Sequence, residues 1–149
     1  MYSKEQTYVD FNGEKKTKVF RFNLMESEQT KLYVTTEGGL KAYVQKIVDE
    51  NDAKKLYLLF EEIIDLAYGE KTADGDFIKS SEILARFRSS QAYSDIIMEF
   101  INDEKKASDF INTLIQNTNL DVRAENHVIE LQDHKKPQNN GNQNQHHNN

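Results

Sequence analysis

The chain has 149 residues, is 37% hydrophobic and 30% charged, and carries a net charge of −6, a mean hydropathy of −0.80 and no cysteine. That length allows one domain, or one domain and a tail, and the missing cysteines exclude disulfides, thiolate metal sites and a cysteine nucleophile. The acidic balance argues against nucleic acid as a partner, which calls for a basic stripe, and without a signal-peptide pattern or a long apolar run the chain is expected to be intracellular and to engage no membrane.

Residues 7–24 read as a β-hairpin, because TYVDF and TKVFRFNL alternate around NGEKK. Thr7, Val9 and Phe11 share one face of the first strand, and Phe20, Phe22 and Leu24 one face of the second. Asn12-Gly13 could close a two-residue loop. A longer loop through Lys16 or Thr17 is preferred, since it sets Val9 opposite Phe20. The two registers differ by an even number, so both put the same side chains on the apolar face.

Glu26–Val34 is a weakly amphipathic helix whose early acids suit the helix dipole. Thr35–Gly39 breaks the chain. Leu40–Glu50 has apolar residues at helical spacing, namely Leu40, Tyr43, Val44, Ile47 and Val48. Asn51 or Asp52 is the expected N-cap of the next helix, and the tight corner there makes the two helices a hairpin.

Ala53–Tyr68 (AKKLYLLFEEIIDLAY) is the central helix, with Gly69 as its brake. On a helical wheel its apolar residues fill an arc of roughly 200°, against about 100° for an ordinary surface helix. An arc that wide needs cover from at least two sides. Leu58 is the anomaly: it falls among Lys54, Lys55, Glu61, Glu62 and Asp65 and points at water.

EKTADGDFIKS follows as a loop with a turn at Asp74-Gly75. Ser80 or Ser81 caps a helix through Phe87, and Ser89-Ser90 starts a helix over Gln91–Asn102, whose stripe Met98 widens. Asp103 caps a last helix, Glu104–Gln116. From Asn117 the pattern stops, apart from a short apolar alternation in Asn126–Gln132. The end is Asn/Gln-rich and cannot offset its ordering entropy.

The expected fold class is α+β, mostly α: an N-terminal β-hairpin, a compact bundle of about five to six short helices, and a disordered C-terminal tail. The domain spans residues 1–116 and the tail 117–149.

Candidate chemistry is sparse. His127, His134, His146 and His147 all lie in the tail, without fixed geometry for a metal. Asp74-Gly75-Asp76 starts like a calcium loop, but its fifth and twelfth positions are Ile78 and Ala85, so a plain turn is expected. Glu61 and Asp65 stand one helical turn apart and read as a solvated face. There is no phosphate-binding glycine loop, and no Ser or Thr has a credible base partner. No catalytic, cofactor or metal residue is therefore assigned, and no enzyme is expected. The remaining candidates are the exposed apolar residues Leu58 and Met98, as partner contacts.

Four segments carry a resemblance: YVDFNGEKKTKVFRFNL, EGGLKAYVQKIV, LAYGEKTADGDFIKSSEI and FRSSQAYSDIIMEFINDEKKASDFINTLI. In this order and spacing, over residues 7–116, they resemble the tail assembly chaperones of long-tailed phages and prophages of Gram-positive bacteria. The most specific piece is Tyr68-Gly69-Glu70-Lys71 with Asp74-Gly75 and Phe77–Ser80. The resemblance implies a non-enzymatic protein of the bacterial host cytoplasm, absent from the mature virion. It would bind the tape measure protein and keep it soluble during tail tube assembly. Implied further partners are the major tail tube protein and a second copy of the chain. Many such genes also yield a longer, frameshifted product, and an A-rich run encoding Lys135-Lys136 would suit that event. The alternatives are a tail-completion or connector subunit that stays in the virion, or a generic protein-interaction adaptor. If the chaperone reading holds, the edge of the central helix's arc and the last two helices would line the partner's groove.

Overall fold

The computed structural model describes residues 1–35 and 39–115, with only the backbone of Tyr33. The expected tail 117–149, its four histidines, the apolar alternation 126–132 and Lys135-Lys136 lie outside the described residues. Within them the order is β1 (Tyr2–Val9), β2 (Lys15–Phe22), α1 (Glu26–Thr35), α2 (Leu40–Asp49), α3 (Ala53–Ala67), β3 (Tyr68–Lys71), β4 (Phe77–Ile78), α4 (Ser81–Arg88), α5 (Gln91–Asn102) and α6 (Glu104–Leu114). The α+β, mostly helical architecture with an N-terminal hairpin is as expected.

The four strands form one antiparallel sheet in the order β1-β2-β3-β4. Two of them correct the sequence reading. The segment taken as a loop after the central helix is the β3–β4 hairpin. Accordingly, the central helix stops at Ala67, and Tyr68 is already extended and paired with Phe22. A two-residue strand is too short to leave an alternation in sequence.

The first hairpin also differs in register. Tyr2 pairs with Phe22 and Val9 with Lys15, so the loop is Asp10–Glu14 and Phe20 faces Lys4 instead of Val9. Relative to both anticipated registers this is a shift by an odd number. It turns the other face of β1 inward: Tyr8 is buried, while Val9 and Phe11 are exposed. The cause is the turn itself. Asp10 Oδ1 accepts hydrogen bonds from the backbone N–H of Asn12 and of Glu14, each at 2.9 Å, and Gly13 sits at φ 80°. That arrangement, with Asp10 N–H donating to the Glu14 carbonyl at 2.9 Å, fixes a five-residue connection.

Four of the helix starts follow one rule. Asp52, Ser80, Ser90 and Asp103 each accept, through the side chain, the N–H three residues on, satisfying a donor that the helix leaves free. At the α2–α3 corner the two candidate caps divide the work. Asn51 takes the left-handed conformation, φ 53°, that ends α2, and Asp52 caps α3.

The sheet's inner face, α3, α5 and α6 meet in an aromatic core. Phe110 lies with ring centroids 5.0 Å from Tyr2, 5.5 Å from Phe22, 6.5 Å from Phe60 and 4.6 Å from Phe100. One ring thereby joins both N-terminal strands to three helices. Phe87 stacks on Tyr68 at 3.9 Å and extends the cluster to α4. The wide arc of α3 is covered as required: α2 packs on one side and α5 on the other, and Ile63, Ile64 and Ala67 are fully buried.

Candidate partner-binding surfaces

Packing these elements leaves apolar grooves among the described residues, and two of them bear on partner binding. The first, about 470 Å³, runs between the α2–α3 corner and α5–α6. Its apolar lining includes Val44, Val48, Leu56, Phe60, Ile101 and Ile111, and Lys41, Asp52 and Glu104 stand among its polar residues. The arc of α3 supplies one wall of the groove. It takes Ala53, Leu56 and Phe60 from the middle of that arc, not from its expected edge, and joins them to the last two helices.

The second groove, about 780 Å³, lies between α1 and α3. Leu32, Leu58 and Leu66 supply its apolar surface, and Glu28, Glu61, Glu62 and Asp65 outnumber Lys31 among its charges. Leu58, 52% exposed as its place on the wheel requires, therefore lines a groove and does not stand alone. Met98 is 45% exposed on α5 and lines neither groove. The fold does not bring these two residues together into one lining.

The α1–α3 groove is hydrophobic below and ionic at its edges. Lys79 Nζ donates to Glu28 Oε2 at 2.7 Å and so ties α1 to the end of β4. Arg88 of α4 bonds Glu61 and also reaches Asp65 at 3.1 Å. The carboxylates one turn apart are thus an arginine clasp. Burial raises the Asp65 carboxyl above its ordinary value, outweighing the opposing pull of Arg88, and Glu61 adds to the rise. Beside them burial, followed by the charges of Asp65 and Glu61, pushes the Tyr93 hydroxyl up to about 12. Burial likewise takes Tyr68 to about 12.

A second ionic cluster joins β1, α5 and α6. Glu99 pairs with Lys4 at 2.5 Å and with Lys106. Burial alone would raise the Glu99 carboxyl, but the hydrogen bonds from Lys106 and Lys4 bring it below its usual value.

Asp74-Gly75 is a plain turn within the β3–β4 hairpin. Gly75 sits at φ 91°, and Asp76 N–H donates to Thr72 Oγ1 at 3.1 Å. Among the described residues no group of three His, Cys, Asp or Glu side chains could hold a metal ion. No described helix is long and apolar enough to cross a membrane.

The most exposed large apolar side chain among the described residues was not singled out in sequence. Phe11, 83% exposed, sits at the tip of the β1–β2 turn. The alternating pattern had assigned it to the strand's apolar face with Val9. Only the run Asp10-Phe11-Asn12-Gly13, polar and glycine-rich around an aromatic, marked it as a turn residue.

What these surfaces can do is bind apolar side chains presented by another polypeptide, between charged rims. The family model described as phage tail assembly chaperone matches residues 1–149. No curated protein and no solved structure matches the chain.

Proposed function

This chain belongs to the phage tail assembly chaperone family, and on that premise we propose that it binds the tape measure protein and keeps it soluble while the tail tube is built. The observation that supports this reading is the groove between the α2–α3 corner and α5–α6, which is lined mainly by apolar side chains, with polar ones among them, and is bounded by helices. An amphipathic helix laid into such a groove buries its apolar stripe. The net charge of −6 keeps a coated complex from aggregating, and many copies along one long partner gain avidity without a tight single site. Leu58 and Met98 are proposed as further contacts outside this groove. The major tail tube protein is proposed as a second partner, and the host cytoplasm as the place of action.

Co-expression with the tape measure protein of the same phage tests the reading. The expected result is a larger soluble fraction of that protein and its co-purification with this chain. Val48 lines the groove and is exposed, so Val48→Glu should weaken co-purification by at least about tenfold and leave the fold intact. Unchanged solubility of the tape measure protein, with no co-purification, overturns the proposal. Stoichiometric recovery of this chain from purified virions would favour a connector subunit instead.

A further inference from the structure

The sheet has two edges of unequal kind. At one, β4 is only two residues long. At the other, β1 runs for eight, paired with β2 without a break from Tyr2↔Phe22 to Val9↔Lys15. Natural edge strands are blunted by shortness, proline, bulges, lysines or a covering element. β4 is short, but β1 has no proline and no bulge, and its one lysine, Lys4, is turned inward to Glu99. α5 and α6 meet the inner face of β1, through Tyr2 and Lys4. Ser3, Glu5, Thr7 and Val9 are all exposed.

The phase of the ladder shows which backbone groups are left over. Asp10 N–H donates to the Glu14 carbonyl, so the hydrogen-bonded pairs with β2 are the even-numbered ones, from Tyr8↔Lys16 to Tyr2↔Phe22. Asn23 N–H donates to the Ala67 carbonyl, which gives the odd-numbered residues of β2 to β3, in the same phase. The N–H and C=O groups of Ser3, Glu5, Thr7 and Val9 therefore point off the edge of the sheet. Among the described residues their one partner is the Gln6 side chain, whose Nε2 donates to the Thr7 carbonyl at 3.2 Å.

We propose that β1 takes up an extended segment of a partner polypeptide as a fifth, antiparallel strand, with a lysine or arginine of that segment opposite Glu5. Strand addition draws its affinity from backbone hydrogen bonds and its selectivity from alternate side chains. The partner residues that bond to Ser3, Glu5, Thr7 and Val9 share the outer face of the sheet with them. That face suits β-branched neighbours: Thr7 Oγ1 and Thr17 Oγ1 lie 2.8 Å apart, and Val9 and Val19 are exposed. Glu5 faces Val19 across the ladder and has no cation partner among the described residues. It is the one exposed charge on β1, so it selects a basic residue in the added strand. A second copy of β1 is a poorer occupant, because its own outer side chains, Ser3, Glu5, Thr7 and Val9, bring no cation to Glu5. No residue of β1 lines the groove between the α2–α3 corner and α5–α6, so the added strand does not depend on what that groove binds.

The test uses the full chain and a synthetic peptide as long as β1, capped at both ends, in which valine and threonine alternate around a lysine near the centre. Amide hydrogen exchange, read by NMR, should be fast at Ser3, Glu5, Thr7 and Val9 of the free chain and slow at Lys4, Gln6 and Tyr8. The peptide should slow the odd-numbered set. N-methylating the peptide at its lysine and at the residues two positions to either side removes the N–H groups that face β1, and should weaken binding at least about tenfold. N-methylating the intervening residues spares those groups and should cost far less. Glu5→Lys, at an exposed position and with an unchanged thermal transition, should bind the lysine peptide about threefold more weakly or worse, and should prefer a peptide with glutamate in place of the lysine. Odd-numbered amides that the peptide does not slow overturn the proposal. Protection of those amides in the free chain does so too, including protection that grows with protein concentration, which would give the edge to a second copy. Equal losses from the two methylation patterns, or a Glu5→Lys chain that still prefers the lysine peptide, overturn it as well.

Discussion

Glu99 shows how a largely buried charge becomes structural. It receives Lys4 from β1 and Lys106 from α6, so one carboxylate spans three elements. Its folded-state value lies below the ordinary 4.5, so its contribution is complete above the unfolded value and is lost as pH falls through the folded one. Asp65 has the opposite sign. Its raised value makes the folded state hold the proton more tightly, which offsets part of any acid destabilisation. Glu99→Gln should lower stability at neutral pH by a few tenths to about 1 kcal/mol, since solvent screens the half-exposed Lys106. The deficit should shrink below pH 4.5, where the wild type is itself losing the charge. Urea midpoints of both proteins at the two pH values measure this. Neither of these pairings was legible in sequence. Lys4 and Glu99 lie 95 positions apart, and only the fold makes them neighbours.

Gly69 sets how closely the strands of the β3–β4 hairpin approach. In sequence it read as the brake of the central helix, yet the helix has ended before it, at Ala67. Its φ is not positive, so conformational freedom is not the reason for a glycine here. The reason is close approach within the β3–β4 hairpin. A Cβ at this position would lie 2.6 Å from Cε1 of Phe77 and 2.7 Å from the Ile78 carbonyl oxygen. One of those is backbone and cannot yield cheaply. Gly69→Ala should therefore destabilise by about 1–3 kcal/mol, read as a lower urea midpoint with an unchanged slope. A midpoint equal to the wild type's would mean that the strands do not approach this closely. The same hairpin escaped the sequence reading because strands this short give no period to detect. The helices were legible for the contrary reason: periodicity and N-caps at Asp52, Ser80, Ser90 and Asp103 repeat over many residues.

At the scale of the molecule, the described core lies between Tyr8 and Ile115, with Phe110 joining its strands to its helices. We propose that residues 1–116 carry this core without help from 117–149. A chain truncated after Gln116 should keep a single cooperative transition in calorimetry, within a few degrees of the full chain. A lost or broadened transition would place part of the stabilising contacts beyond that boundary. The position of Leu58 was fixed by helix period alone, since a residue on the polar sector of α3 must face outward wherever the helix packs. That a groove passes beside it depends on where α1 settles, and the weak amphipathicity of Glu26–Thr35 does not say.

The sequence by itself determined the helices, their starts to within a residue, the need for cover over the arc of α3, the fold class and the family resemblance, because each of these is written in local spacing or in short motifs. The register of the first hairpin, the β3–β4 pair, the ionic clusters and both grooves were decided by tertiary structure. A register turns on one residue of loop length, and a groove is the space left between surfaces that the chain brings together from distant positions. Phe11 belongs to both levels. Its residue type is plain in sequence, but its exposure follows from an odd-numbered shift in strand pairing that the turn at Asp10 imposes.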